Sequence, residues 1–336
     1  MLKRFLNKFI YLLNILVGIV FALSFLMPYV PLKFVPFLAV LSLGIPLLFI
    51  VNLLFCVYWI WKAKKHFVIS LSLIIIGLLV FDSFYQFEPK TELVHSHSID
   101  IMSYNTRLFN KYGWMKDKEI PEKLIRFINE QNPEVLCLQE FDMSYKNAFE
   151  EYPYQVFSDE DSNKSIQAIF SKYPIKNSKV IEFESSNNAA LYADLQVANY
   201  SLRVFNIHLQ SLGVSDPEAL TNQEPKRLVK RMSSMFSKQE AQAQLIRSQI
   251  DSTPSYSIVA GDFNNTQFSR VYRLIKGAMN DSFIERGSGF GRSFDFKLFP
   301  MRIDFILTDQ RLEVVEHQNF DVLYSDHYPI SASISL

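Results

Sequence analysis

The rhythm of hydrophobic and polar positions changes once along the chain. No charged residue occurs from Phe9 to Met27 or from Phe34 to Trp61, and each run approaches or exceeds the roughly 20 apolar residues that carry a helix across a bilayer. A third run, Phe67–Phe81, reaches that length only by continuing to about Phe87, with Asp82 near its end. Residues 1–87 are therefore predicted to form a membrane anchor of three transmembrane helices. Pro28, Pro31 and Pro36 punctuate the first loop, and Pro46 lies inside the second run, where neighbouring helices in a bilayer tolerate a kink. The first run lacks a small-x-small cleavage site and is followed at once by more apolar runs, so it reads as a retained anchor rather than a signal peptide. Residues 88–98, EPKTELVHSHS, are polar and aperiodic and read as a linker, with His95 and His97 as solvated side chains rather than a metal pair.

Beyond the linker the apolar runs shorten to strand length and are bounded by turn residues: Ile99–Tyr104, Glu134–Gln139, Ile166–Phe170, Leu191–Val197, Leu202–His208, Ser257–Ala260, Ile303–Leu307 and Ile330–Ile334. Helical spacing appears between some of them. Pro121–Gln131 places Leu124, Ile125 and Ile128 on one face, and a long helix is expected from about Glu224 to Ile250. Strands mixed with helices in this way predict stacked sheets with outer helices, an α/β sandwich, over residues 99–336.

Charge divides the chain at the same place. Lys+Arg and Asp+Glu each total 34, but residues 1–87 hold seven basic residues and one acidic one, leaving 27 basic and 33 acidic residues, a balance of −6, in 88–336. A mildly acidic body is not the broad cationic surface with which a protein holds duplex nucleic acid. Lys3, Arg4 and Lys8 precede the first apolar run, Lys33 alone lies in the first loop, and Lys62, Lys64 and Lys65 follow the second. By the positive-inside rule the N-terminus and second loop are cytoplasmic, and three crossings deliver the body to the periplasmic or extracellular side. The two cysteines, Cys56 and Cys137, are in neither a CxxC nor a metal-ligand spacing, so neither a disulfide framework nor a zinc site is indicated.

The chemistry lies where the strand-like runs stop. Nearly every one ends in Asn, Asp, Glu or His: SYN to Asn105, LCLQE to Glu140, FNIH to His208, VAGDFN through Asp262 to Asn264, RID to Asp304 and SDH through Asp326 to His327. Any single one is explained by an Asx turn or a cap, but six at successive strand ends point to groups converging on a rigid scaffold.

In this order, SYNTR, LQEFD, NIHLQS, GDFNNT, RIDFIL and SDHYPI resemble the endonuclease/exonuclease/phosphatase superfamily, which includes DNase I-like nucleases, exonuclease III-like abasic-site endonucleases, neutral sphingomyelinases and inositol polyphosphate 5-phosphatases. The resemblance covers 99–336 and none of 1–98. It implies a four-layered, DNase I-like α/β sandwich and a metal-dependent phosphoester hydrolase. It further implies that Glu140 is the principal metal carboxylate, supported by Asn105 and Asp326, in a hard oxygen site for Mg²⁺ or Mn²⁺. Asp304 and His327 are implied as a base dyad, Asp262 and Asn264 as the pair nearest phosphorus, and His208 as a donor to the phosphate. His208 stands where abasic-site endonucleases tend to carry Tyr, and Arg107 where such nucleases often carry an acid; both speak against that substrate. The partners implied are the lipid bilayer and a phosphoester substrate: a phospholipid headgroup, a nucleic acid or a sugar or inositol phosphate. Lys226, Arg227, Lys230 and Arg231 on the long helix read as a solvated face, with lipid headgroups or an anionic substrate as the alternative. A catalytically inactive binding module on a membrane scaffold is the competing reading, opposed by the presence together of Glu140, Asp262, Asp304 and His327. A transporter is opposed by apolar runs whose notable polar groups are only Asn14, Asn52 and Asp82.

Overall fold

The computed structural model describes residues 2–34, 36–81, 84–87, 98–159, 165–213, 224–296 and 299–336. The expected linker, with His95 and His97, lies outside the described residues except for Ser98, and so does Asp82.

The head consists of α1 (Leu2–Ser24), a 3-10 turn (Pro36–Ala39) leading into α2 (Val40–Trp61), and α3 (Phe67–Val80). Two helical stretches, Lys3–Ser24 and Pro36–Trp61, are long and apolar enough to cross a membrane. Asn14, Ser24, Asn52 and Ser70 are turned inward. Asn14 of α1 donates to Ser70 of α3 at 2.7 Å and accepts from the Trp59 indole of α2 at 3.0 Å, tying the three helices together. α3 has 14 residues, about 21 Å of helix, short of a hydrocarbon core of about 30 Å. It does not run on to Phe87. It stops at Val80, and Gln86 exchanges two backbone hydrogen bonds with Gly289 of the body. The physical reason is that the body takes its place: Phe81 and Phe84 pack on Phe268, which shares a buried cluster with Phe21, Phe25 and Ile45 of the helices.

In the body, α4 (Ile120–Gln131) carries Pro121 in its first turn and ends on Asn132 in the left-handed region, φ 48°. It buries Leu124, Phe127 and Ile128, while α5 (Pro225–Asp251) and the short α6 (Arg270–Lys276) cover the opposite side. Between them stand two six-stranded sheets. The first has the order β11 (Glu313–Asn319), β12 (Ile330–Ser335), β1 (Ser98–Asn105), β2 (Val135–Phe141), β4 (Ile166–Ser171), β3 (Tyr154–Phe157). The second has the order β5 (Ile175–Glu182), β6 (Ala189–Val197), β7 (Tyr200–His208), β8 (Tyr256–Asp262), β10 (Asp304–Thr308), β9 (Asn280–Asp281).

The hydrophobic alternation sorts into layers. Ile101, Val135 and Cys137 from one sheet meet Leu191, Val204 and Ile258 from the other in the middle core. Met102, Leu136 and Phe170 face α4, and Phe205, Val259 and Phe305 face α5 and α6. Helix, sheet, sheet, helix is the expected four-layered α/β sandwich. In each sheet a parallel pair occupies the centre, β1 with β2 and β7 with β8, and each pair is flanked by an antiparallel neighbour, β12 or β10. The C-terminal ends of the four parallel strands and the N-terminal ends of their neighbours thus open at one edge of the sandwich.

Candidate active site

That edge holds the strand-end polar residues singled out in the sequence. Asn105 ends β1, Glu140 lies near the end of β2, His208 ends β7 and Asp262 ends β8. Register brings three of the groups into one row: Asp262 is the cross-strand partner both of His208 in β7 and of Asp304 at the start of β10. His327 precedes β12 and donates to Asp304, with Nδ1 3.0 Å from Oδ2, while its Nε2 lies 3.6 Å from Asp262. Asn105 Nδ2 bridges the two sheets, donating to Asp262 at 3.0 Å and to Glu140 at 3.3 Å. Glu140, His208, Asp262, Asn264, Asp326 and His327 line one cleft of about 420 Å³.

Local backbone geometry aims these groups. The β2–β4 register shifts between Leu138 and Phe141, and Glu140 within the irregularity has φ 48°. A bulge with a non-glycine residue in the left-handed region is held only when its surroundings enforce it. Gly261, with φ 138°, lets β8 lie against β7; a Cβ there would stand 2.0 Å from the Ile207 carbonyl oxygen. Only glycine fits the second position before Phe263 in the AGDFN run.

The electrostatics are those of a buried anionic site. Burial pushes the Glu140 carboxyl above the usual range and, with Asp304 adding repulsion, raises Asp262 to about 6. Burial works against a charge on His327, but Asp304 and Asp262 outweigh it and raise its pKa to about 10. His208 is shifted the other way, lowered by burial and by His327. A neutral His208 that accepts from the Ser165 hydroxyl at Nδ1, 3.0 Å away, presents its Nε2–H to Glu140 and Asp262 at 3.7 and 3.5 Å.

Two features depart from the sequence reading. Both hydrogens of the Asn264 amide are engaged, one by Leu209 O at 2.9 Å and one by Asp262 Oδ2 at 3.2 Å, and its backbone N–H binds Asp262 Oδ1 at 2.7 Å. Asn264 therefore holds Asp262 and has no hydrogen left for a phosphoryl oxygen. Asp326 is paired with Arg107 at 3.0 Å, and the guanidinium stacks on Trp114. Sequence reasoning missed Ser165, which fixes the His208 tautomer, and gave no role to Leu43, Leu212, Phe294, Met301 and Ile303, which also line the cleft. A lone serine outside any motif carries no signal, and apolar residues are expected to be core.

The donor set suits a hard divalent cation. Asp262 is a buried and Glu140 a half-buried carboxylate, and the ionised form of each is disfavoured as the site stands, the situation a bound Mg²⁺ or Mn²⁺ would reverse. Among the described residues, Asp262, Asp304 and His327 bring possible ligand atoms within 4.8 Å of one another. His327, with Nδ1 on Asp304 and its proton retained, is a poor ligand, so the oxygens of Glu140, Asp262 and Asn105 fit a cation better.

The endonuclease/exonuclease/phosphatase family profile matches residues 102–327, and a domain family of unknown function matches residues 7–84. None of the curated proteins matches the chain. Among solved structures, humanised TDP2 from D. rerio superposes with TM-score 0.55 at 16% identity, covering 71% of this chain and 99% of that one. An endonuclease/exonuclease/phosphatase from Bacteroides vulgatus gives 0.53 at 18% over 72% and 100%, and the human Nocturnin catalytic domain with bound sulfate gives 0.53 at 18% over 73% and 95%. Identities this low establish the fold alone; the match of the family profile across both sheets, from β1 to the last site histidine, means that the chain belongs to the endonuclease/exonuclease/phosphatase family.

Proposed function

We propose that the protein is a metal-dependent phosphoester hydrolase, anchored by its N-terminal helices, with its catalytic body on the non-cytoplasmic side of the membrane. The observation that carries the hydrolase reading is the convergence of Glu140, His208, Asp262 and His327 from both sheets on one cleft, with Asn105 and Asp304 bonded behind them and the Glu140 and Asp262 carboxyls pushed toward protonation. Such unfavourable burial of charge is kept where it is used.

Glu140 and Asn105, with Asp262 beside them, would hold the cation, and Mg²⁺ or Mn²⁺ bound there would supply Lewis acidity. Asp262, fixed by Asn264 and Asn105, stands as the base, and a cation beside it would favour the ionised carboxylate that burial alone disfavours. His327, kept protonated by Asp304, donates from Nε2, and neutral His208 donates from its own Nε2 to a second oxygen. This division gives the proton acceptor role to Asp262 and makes the Asp304–His327 pair the donor, in place of the base dyad expected from sequence. Water is deprotonated at Asp262, its oxygen bonds to phosphorus, and the ester oxygen leaves with a proton from His327.

Purified full-length protein with Mg²⁺ or Mn²⁺ tests the reading against bis(p-nitrophenyl) phosphate, an oligonucleotide and phospholipid vesicles. Turnover that survives excess EDTA refutes the metal-dependent site. A C-terminal alkaline phosphatase fusion tests topology, and a reporter active only in the cytoplasm refutes the proposed side.

A further inference from the structure

We infer that the substrate of this site is a membrane lipid, with its phosphoester in the cleft and its acyl chain in an apolar groove between α2 and the body. The inference rests on the hydrolase reading above and adds the class of substrate.

The cleft does not stop at the body. Leu43 of α2 lines it, and Met301 lines both the cleft and an adjoining cavity of about 250 Å³. That cavity is walled on one side by Pro46, Phe49, Ile50 and Leu53 of α2, and on the other by body aromatics including Phe268 and Phe290. Leu43, Pro46, Phe49, Ile50 and Leu53 recur at helical spacing, so one stripe of α2 leads from the phosphoester cleft along the groove. Ten residues of rise carry that stripe about 15 Å away from the cleft, toward the Lys62 end of α2 that the charge pattern places in the cytoplasm. A lipid lying beside α2 with its headgroup outward has the same polarity: phosphate at the outer end of the helix and acyl chain pointing inward.

The rim argues against a polyanion. Among the described residues, Arg107 is the only Lys or Arg lining the cleft, and it is paired with Asp326 at 3.0 Å. A nucleic acid needs cations along its backbone, whereas this cleft is lined by Leu43, Leu212, Phe294 and Ile303 together with the uncharged polar Asn187, Asn188 and Ser211. Head and body are joined as one surface around the groove. Leu32 N–H donates to Glu240 of α5 at 2.9 Å, Arg270 pairs with the same carboxylate, and the Thr266 hydroxyl reaches the Ser42 carbonyl at 3.4 Å. Tyr29, Phe34 and Phe37 stand exposed near Leu32 and Ser42 in sequence, and Phe87 stands exposed next to Gln86, which pairs with Gly289, in keeping with an interfacial aromatic collar. In the reaction, water's oxygen bonds to phosphorus, the lipid–oxygen–phosphorus ester breaks at phosphorus, one proton goes to Asp262, and the lipid alcohol leaves with the proton of His327.

Full-length protein is reconstituted in vesicles of phosphatidylethanolamine, phosphatidylglycerol and phosphatidic acid with Mg²⁺, and release of water-soluble product is compared with hydrolysis of bis(p-nitrophenyl) phosphate and a single-stranded oligonucleotide. Ile50→Trp and Leu53→Trp fill the groove from side chains that are 44% and 45% exposed and are expected to lower the ratio of lipid to soluble-ester turnover about tenfold. Independently of turnover, a phosphatidylethanolamine bearing a photoactivatable acyl chain is crosslinked to Glu140→Gln protein. Label is expected on Phe268 and Phe290 and is expected to fall when Ile50→Trp is added. Soluble-ester hydrolysis with an unlabelled groove and an unchanged ratio overturns the lipid inference alone. A labelled groove with no hydrolysis of any substrate supports the lipid site and removes the hydrolase reading.

Discussion

In the helical head, Leu12 is 66% exposed and Leu79 is 79% exposed, while Asn14 and Ser70 are fully buried; in the body, Leu136 and Val204 are fully buried, and so nearly are Asp262 and Asp304. Both regions obey the same hydrophobic effect, the body turning its apolar side chains inward from water and the head turning many of its own outward, the arrangement that the proposed anchor in lipid calls for. Their buried polar groups differ in a second way. Asn14, Ser70 and Trp59 satisfy one another in the head, where the pairing serves cohesion. Glu140 and Asp262 are left with amides and histidines, and burial drives both carboxyls upward. A satisfied buried polar group holds a structure together, whereas an under-compensated buried charge is poised for a ligand or a reaction.

The comparison breaks most decisively at Glu140. Glu140→Gln is expected to lower turnover about 10³-fold, since a neutral amide replaces an anionic ligand to a hard cation. The same change is expected to raise the melting temperature in EDTA, because it removes a charge that burial penalises. Steady-state kinetics and calorimetry read the two effects, and a fall in both would make Glu140 a structural residue.

Asp304→Asn comes next. Without the carboxylate, His327 loses its main support against burial, its pKa drops from about 10, and turnover is expected to fall about 10²-fold. The alkaline limb of the pH–rate profile should move to lower pH; a profile displaced only in height would mean that Asp304 does not act through His327.

Metal-free stability sharpens the same contrast through pH. An acid raised from 3.8 to about 6, as Asp262 is, contributes stability below pH 3.8 that is lost as pH rises through 6. A histidine raised from 6.5 to about 10, as His327 is, contributes fully below 6.5 and loses that contribution as pH rises through 10. Both contributions fall as pH increases, opposed between about pH 4 and 6.5 by His317, which burial lowers to about 4, and Asp262→Asn is expected to remove the Asp262 part of the change. Melting temperatures that climb between pH 5 and 9, in wild type and variant alike, would place the dominant titration elsewhere.

The proposed lipid surroundings of the head and the aqueous surroundings of the body separate in the smallest effects. Leu136→Ala, in the core under α4, is expected to cost about 2–5 kcal/mol, whereas Leu12→Ala on the outward face of α1 is expected to stay within about 0.5 kcal/mol. Equal losses, measured by denaturation in detergent, would mean that Leu12 is packed against protein.

What the sequence determined by itself is what one segment or one motif can carry. The two long apolar runs became long helices, and the eight predicted strand runs coincide with β1, β2, β4, β6, β7, β8, β10 and β12. The four strands it did not reveal, β3, β5, β9 and β11, are the edges of the two sheets. An edge strand meets water on more sides, so β5 and β11 carry Lys, Glu, Gln and Asn where interior strands carry Val, Ile and Leu, and the hydrophobic period that marks a strand is lost. The ordered motifs named the site residues because polar groups at apolar strand ends stand out locally. Only the tertiary structure decided how those residues relate: that Asn264 spends its amide on Asp262, that Arg107 neutralises Asp326, that Ser165 fixes His208, and that Leu43 of the head lines the cleft. Protonation follows distance and burial, and the join between head and body follows packing between segments far apart in the chain, neither of which is written in the identity of any one residue.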